Sequence, residues 1–591
     1  MKKTLKRFMA LLLVLALVGC GSGSKKDSSA GLKDGNYKAS KDGQNGPIEI
    51  ELIVKNGEIE KAELVSESET PGLGNVAIEK ILNQFNENKD MNIDMIGGAT
   101  VSSTAVVEAL TEALKEAGAS DDFFVKDENK EAKKEELEDT YDFDVVVIGA
   151  GGAGLSAAIE AANTGAKVAV LEKTPAAGGN TLVSGGGLNV PGSRQQKGLD
   201  IEDSVEQFYE DTMNGGDNKS DSKLVKIMAE NALAAADWLM DDIGVKFMDD
   251  RVQQFGGHST PRALIPEGNK GVALISKLLE KAEEKDVKVF YEAKAEEIKM
   301  TDGKASGVVV KNNDKDVVFN ASKGVIVASG GFASDVEMRK KYNDHYDERF
   351  KSTATEASTG DGIKMAEAVG AGLRDLDFIQ VYPTCNPITG IISYVANARF
   401  DGAILVNQKG ERFVNEMGRR DEISNAILDQ EGSYAYLVWG QEVESVGHMT
   451  EVHEKEYEKW LKDDLIYSTE SLEDAAKHYN IDEKSFMNTI DGFNKAVEEG
   501  KDEAFNKGGN MVAIKEGNFY IQKVVPSTHH TMGGITINED AQVLDAKGEI
   551  IPNLYAAGEV VGGIHGTNRL GGNAITDIVV FGRIAGQNIV K

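Results

Sequence analysis

Hydrophobic and polar positions change rhythm along this chain. Residues 48–54 (IEIELIV) alternate with the two-residue period of a strand that buries one face. They lead into Asn56-Gly57, a pair suited to the left-handed conformations of a two-residue hairpin turn. Ile78, Ile81, Leu82 and Phe85 mark one helix face, and Val106, Val107, Leu110 and Leu114 another. The pattern predicts a small α+β unit over residues 35–119. Residues 120–140 (SDDFFVKDENKEAKKEELEDT) are charged and nearly free of aliphatic side chains, the composition of a linker. From Tyr141 onward, apolar strand patterns alternate with helical ones across glycine-rich turns, which predicts an α/β fold around a parallel sheet. There is no internal repeat.

The first twenty residues break this pattern. Lys2, Lys3, Lys6 and Arg7 precede an apolar run from Met9 to Val18, too short to span a bilayer, and Leu17-Val18-Gly19-Cys20 follows. This is the layout of a lipoprotein signal peptide (1–19) with Cys20 as the lipidated residue. Residues 20–34, rich in Gly, Ser and Lys, read as a tether. The expected location is the outer face of a bacterial cell membrane, held by the lipid anchor only.

Charge and cysteine count narrow the chemistry. With 97 acidic and 65 basic residues the net charge is −32, which argues against nucleic acid as a partner. Two cysteines, Cys20 and Cys385, exclude a disulfide framework, a zinc or iron–sulfur cluster and a c-type haem, and no metal site is expected. The 64 glycines fall in clusters without a Gly-X-Y period, which suggests loops that cradle a ligand.

The clearest cluster is Gly149-Ala-Gly151-Gly-Ala-Gly154. It follows the apolar strand Asp144–Ile148, opens a helix over Leu155–Thr164, and precedes a second strand that ends at Glu172. That order is the fingerprint of a dinucleotide site. Gly149 makes the tight turn, Gly151 admits the pyrophosphate, Gly154 lets helix and strand pack, and Glu172 meets a ribose. A second string, Asp94-Met-Ile-Gly-Gly-Ala-Thr100, lies between the two helices of the small unit. Gly97 and Gly98 there allow close approach of a phosphate before a helix start.

Two resemblances join these strings. Gly35-Asn36-Tyr37, Asn56-Gly57, Glu69-Thr70-Pro71-Gly72 and Asp94 through Thr100 resemble the FMN-binding domain of respiratory flavoproteins. In that family a flavin transferase esterifies FMN phosphate to the last residue of the string, here Thr100. Gly97 departs from the commoner Ser. The second resemblance spans residues 141–591. The Gly149–Gly154 turn, Asn180-Thr181, Ser184-Gly185-Gly186-Gly187, Gly324–Gly331 and Gly558-Glu559 are similar to the FAD proteins of the fumarate reductase/succinate dehydrogenase superfamily. No second G-x-G-x-x-G is present for a nicotinamide. Gln380-Val-Tyr382-Pro383-Thr384, Arg399 through Arg420-Asp421, His530-Thr-Met-Gly-Gly534 and His565 through Ile575 resemble soluble fumarate reductases and urocanate reductases.

The resemblance implies an architecture and a mechanism. The FMN-binding domain (35–119) and linker (120–140) precede an FAD-binding, Rossmann-like domain in two parts (141–380 and 526–591), with an α+β capping domain (381–525) inserted. Non-covalent FAD is held by Gly149, Gly151, Ala153, Gly154, Glu172, Asn180, Thr181, Gly185, Gly186, Asp361, Thr531, Glu559, Ala574 and Ile575. Reduced FAD gives hydride from N5 to the β-carbon of an enoate. His530 and Arg569, with Gly572, bind the substrate carboxylate. Arg420 donates the proton to the α-carbon, with Arg399 as the second arginine of a relay. His529 and His565 are structural or flavin-facing. Electrons enter from a membrane or extracellular donor through FMN. Read alone, Tyr382 also fits a packed core position, and Arg420 a salt bridge to Asp421.

Departures from the family pattern bear on the substrate. Fumarate reductases of the family usually carry His where Tyr382 stands and a Thr-Glu pair just before Arg399; here that stretch is Val395-Ala396-Asn397-Ala398. Urocanate reductases carry Tyr at the first place and an Asp near Asn397. The expectation is a urocanate-like enoate as terminal electron acceptor in anaerobic respiration, bound with Tyr382 and Asn397 at its tail. Fumarate and aryl acrylates of the cinnamate type are the alternatives. A desaturating ketosteroid dehydrogenase is a further reading, disfavoured by the carboxylate clamp. A flavolipoprotein that only carries electrons is another, and it would not need Arg420.

Overall fold

A computed structural model describes residues 31–591 except 44–45, 70–73, 94, 97–98, 125–136, 268–270 and 313–314. The expected export segment with Cys20, the Thr70-Pro71-Gly72 string, and Asp94, Gly97 and Gly98 lie outside the described residues. Only the main chain of Thr100 is described.

The small unit is a three-stranded antiparallel sheet, Gly35–Asp42, Pro47–Lys55 and Glu58–Ser66, covered by helices Gly74–Asn88 and Thr100–Glu116. The alternation at 48–54 does what its period implies: Ile48, Ile50, Leu52 and Val54 are all buried against the helices. Each such side chain contributes roughly 1.5–3 kcal/mol on burial. Asn56 and Gly57 both take positive φ (55° and 79°), as a hairpin turn of this kind requires. Val107 differs from expectation: it only packs partly buried on the rim, while Val106, Leu110 and Leu114 fill the core.

The large unit is built on an eight-stranded sheet. Its parallel heart runs Lys288–Phe290, Val168–Leu171, Thr140–Ile148, strand Lys315–Val327 from Val318 onward, and Ile550–Ala556. Helices Gly152–Ala162 and Asn573–Ile589 pack on it and on each other. The first of these helices starts at Gly152, three residues earlier than the apolar pattern predicted. A glycine start carries no hydrophobic signal, so the pattern could not see it.

The inserted sheet is organised differently. Strand Ala435–Gly440 is buried at every position. Ala435, Leu437 and Trp439 point into one apolar cluster, Tyr436 and Val438 into another, so helices cover both faces. Strand Phe519–Thr531 pairs with it and also with Ile379–Cys385, Ile466–Thr469 and Lys351–Ser352. This 13-residue strand begins in the inserted sheet and ends at the FAD-binding part. Its register places Gln380 opposite His530. No described helix is long and apolar enough to cross a membrane.

Candidate active site

The glycine turn forms one end of a cavity. Gly149 has φ 104°, in the left-handed region. A Cβ at Gly154 would overlap the Gly149 carbonyl oxygen, so helix and turn meet without room for a side chain. At Gly151 a Cβ would meet nothing nearer than the Gly178 oxygen at 3.8 Å, and at Gly179 and Gly330 nothing within 4 Å. These three therefore leave open space beside the N-terminus of helix Gly152–Ala162, where main-chain N–H groups favour a phosphate. Glu172 closes the next strand, accepting from Ala150 N (3.0 Å) and from Thr174 N (2.9 Å). Ala153, Asn180, Thr181, Asp361 and Glu559 also line this cavity. Burial raises Asp361, but its bond to Lys173 (2.7 Å) more than compensates and holds the carboxyl below its usual range. The glycine-lined wall and the helix start fit an FAD.

Not every predicted FAD contact lines the cavity. Gly185 and Gly186 lie in the loop after Ser184, outside the lining. Gly186 (φ 70°) packs toward Pro266, and a Cβ at Gly185 would meet nothing within 4 Å. Thr531 is also outside, and donates its N–H to Glu559 (3.1 Å). Gly572, in left-handed conformation (φ 83°), caps helix Asn573–Ile589, whose first turn holds Ala574 and Ile575.

Beyond Glu559 lies a cationic cleft between the FAD-binding part and the inserted domain. The Asn180 carboxamide donates to Glu559 (3.1 Å), and His530 Nδ1 stands 3.5 Å from the same carboxyl. Burial, more than any charge, raises Glu559 above the usual carboxyl range. Burial and then the Arg569 charge hold both His529 and His530 well below the usual imidazole range, so both are neutral at pH 7. His529 Nδ1 pairs with Thr353 (2.7 Å), and His565 Nε2 pairs with Asp577 (3.2 Å). Among the described residues, His530 Nε2, His565 Nδ1 and Arg569 Nε are buried with no partner.

The two arginines of the cleft share one neutral acceptor. Gln380 Oε1 accepts from Arg569 Nη2 (2.9 Å) and from Arg420 Nη1 (3.4 Å), while Gln380 Nε2 donates to the Arg569 carbonyl (2.7 Å) and to Asn568 (2.8 Å). Burial, then the charge of Arg420, pushes Arg569 well below the usual guanidinium range. Burial lowers Arg420 as well. Arg420 opens helix Arg420–Leu428 and lies 4.7 Å over the Tyr382 ring. It forms no salt bridge with Asp421; that carboxylate pairs with Arg419 (3.1 Å). Tyr382 is buried at the junction, its ring 5.6 Å from His529. Arg399 is buried behind it, donating to the Glu416 carbonyl (2.6 Å). Burial lowers the Arg399 guanidinium, and the Tyr382 hydroxyl beside it acts in the opposite direction.

Tyr382, Arg399, Arg420, Arg569 and His530 are thus brought together. Asn397 sits two residues before Arg399, partly exposed, and its carboxamide makes no side-chain hydrogen bond among the described residues. The residue that sequence reasoning left without a role is Gln380. Its register opposite His530 depends on pairing between strands some 150 residues apart, which no local pattern announces. Among the described residues, no group of His, Cys, Asp and Glu could hold a metal ion.

Comparisons with known proteins agree with this geometry. Residues 144–575 match the family described as FAD binding domain, and residues 43–115 that described as FMN-binding domain. The chain is 39% identical over 582 residues to the urocanate reductase of Eggerthella lenta, covering 97% of this chain and 96% of that protein. It is 40% identical over 451 residues to the fumarate reductase (cytochrome) of Shewanella frigidimarina, covering 76% and 77%. The open conformation of a flavocytochrome c3 fumarate reductase superimposes with a TM-score of 0.68 at 35% identity, covering 76% of this chain and 78% of that one. With its cavity for FAD, its FMN-binding domain and its arginine–histidine cleft, the chain belongs to the flavin-dependent reductases of the fumarate and urocanate reductase family, which act on carbon–carbon double bonds.

Proposed function

We propose that this protein reduces the C=C bond of a mono-carboxylate enoate with a flat tail, urocanate above others, as a terminal electron acceptor. The observation that carries this reading is the charge balance of the cleft. Two guanidiniums converge there on one neutral carboxamide, and among the described residues His530 Nε2 and Arg569 Nε are buried without partners. A substrate carboxylate satisfies both atoms and the local excess of positive charge. In the turn that leads to Arg399, beside Tyr382, the chain carries Ala396 and the Asn397 carboxamide. A second carboxylate there would meet neither the His nor the Thr-Glu pair that fumarate reductases of the family carry.

Bound FAD supplies the hydride. The chain's own residues do the rest. Arg569 and His530 hold the carboxylate, His530 as a neutral N–H donor. Arg420 gives a proton to the α-carbon; its burial brings an otherwise very weak acid closer to a useful range. Arg399, against the Tyr382 hydroxyl, is the second arginine from which Arg420 recovers its proton. A desaturase acting on a neutral ketone has no use for this clamp, and an electron carrier has none for Arg420. Thr100, at the start of helix Thr100–Glu116, is the attachment point for FMN placed by a flavin transferase. Cys20 is the lipid anchor to the outer face of the membrane, and the electron donor is a membrane or extracellular carrier.

The test is a competition among urocanate, cinnamate and fumarate with a reduced viologen as donor. Urocanate should win over fumarate by roughly 10³-fold in kcat/KM, the penalty for an unpaired buried charge. Fumarate winning would overturn the reading of the tail pocket. Cinnamate winning would favour the aryl-acrylate reading, which the uncharged Asn397 also admits.

A further inference from the structure

The turn that carries Asn397 and Arg399 has its own support, supplied by a distant helix. Val395–Asn397 and Ala398–Asp401 form two short helical turns in succession. The N–H groups at the start of such a turn have no partner within it. Here they are met from outside. Glu456, on helix Glu454–Lys462, accepts from Tyr394 N (3.0 Å) and from the Ser393 hydroxyl (2.7 Å), and also bonds the Val395 N–H. Ser393, fully buried, in turn accepts from Ala396 N (3.2 Å) and from Gln522 Nε2 (2.7 Å) on strand Phe519–Thr531. Tyr394 is stacked on His453, just before the same helix (5.5 Å between ring centroids). The three leading N–H groups of the turn are therefore all held by Glu456 and Ser393. The helix that provides the carboxylate makes no part of the cleft described above.

We propose that Glu456 is the positioning residue of the turn 394–399, setting where Asn397 and Arg399 stand and hence how the enoate's tail is selected; this rests on the function proposed above. The carboxylate acts as an N-cap delivered from another helix. Its Oε1 takes the Ser393 hydroxyl and the shorter of two bonds from the Tyr394 N–H, the longer (3.2 Å) going to Oε2, so the Oε1 acceptor carries most of the cap. Gln keeps that acceptor; Ala removes it.

Two measurements on the FAD-loaded, full-length protein test the assignment. The first is amide hydrogen exchange at residues 394–397. In Glu456→Ala it should quicken by about tenfold or more, the loss of about one net hydrogen bond; in Glu456→Gln it should stay within about threefold of wild type. The second is the ratio of KM for urocanate to KM for acrylate, which has no tail. Any loss of kcat that both substrates share through Arg399 drops out of this ratio. Glu456→Ala should raise it about tenfold and Glu456→Gln should restore it. Ser393→Ala, a smaller lesion in the same network, should move both readouts in the same direction by less, and it supplies the test if Glu456→Ala does not fold. Unchanged exchange at 394–397, an unchanged KM ratio, or a Gln variant behaving like Ala would each overturn the proposal. Were the wild type to reduce no enoate, the function proposed above would fall, and the exchange measurement would still decide the role of Glu456.

Discussion

The FAD cavity and the cationic cleft meet at Glu559 and are made of different materials. The cavity is built largely from backbone: Gly149 in a left-handed turn, Gly154 against a carbonyl, and Gly151, Gly179 and Gly330 left open. The cleft is built from side chains whose charges exceed what the protein itself neutralises: Arg420 and Arg569 on one carboxamide, with an unpartnered nitrogen on His530. The first site is defined by where a side chain cannot be. The second is defined by which charge is missing. Steric exclusion is all-or-none, whereas charge complementarity is graded, and the two should respond to mutation accordingly.

The sharpest way to break the comparison is Gly154→Val. A β-branched side chain must displace the Gly149 carbonyl or the whole helix start, so the purified protein should carry no FAD and show no turnover. Flavin absorbance measures this directly, and a Val variant with full flavin content would mean that backbone closeness does not define the cavity. Arg420→Ala tests the other site. It should lower kcat by about 10²–10⁴-fold, the range for a lost general acid, with flavin content unchanged. Near-normal turnover would leave the protein as an electron carrier.

Asn397→Asp sharpens the graded side of the comparison. A carboxylate there pairs with an imidazole N–H but is unfavourably desolvated by an apolar ring. The preference for urocanate over cinnamate should rise by about tenfold in a competition assay, and an unchanged preference would place the tail elsewhere. The smallest effect expected is in stability. Burial, opposed by its bonds to Ser393, Val395 and Tyr394, raises the Glu456 carboxyl to about 7. The folded chain then holds a proton that the unfolded chain has released, so the contribution is complete below the ordinary value of 4.5 and is lost as pH rises through 7. Relative to Glu456→Gln, the melting temperature of the wild type should therefore decline across that window and run parallel above it. Curves parallel throughout would show that the carboxyl is not perturbed.

How much of this was legible depended on the range of the interaction. The hairpin at Asn56-Gly57, the strand at 48–54 and the glycine turn at 149–154 are local. Each is written in adjacent residues by a period or by a conformation only glycine adopts easily. Helix Gly152–Ala162 starts three residues before the apolar pattern does, because its first turn is glycine and alanine, with no apolar face to read. Arg420, Arg569 and His530 were found by resemblance of their strings, and the structure brings all three to one cleft. The strings could not show that Asp421 belongs to Arg419.

What the sequence alone determined is the set of parts: the alternation, the turns, the glycine fingerprint and the kinds of charge available. Tertiary structure decided which parts face one another. Gln380 lies between Arg420 and Arg569 across 189 residues of chain, and Glu456 caps a turn about 60 residues before it. The physical reason is that hydrogen-bond partners brought together by strand pairing and helix packing leave no periodic trace along the chain. A lone Gln or Glu reads as solvent-facing until the fold removes the water around it and supplies a specific neighbour in its place.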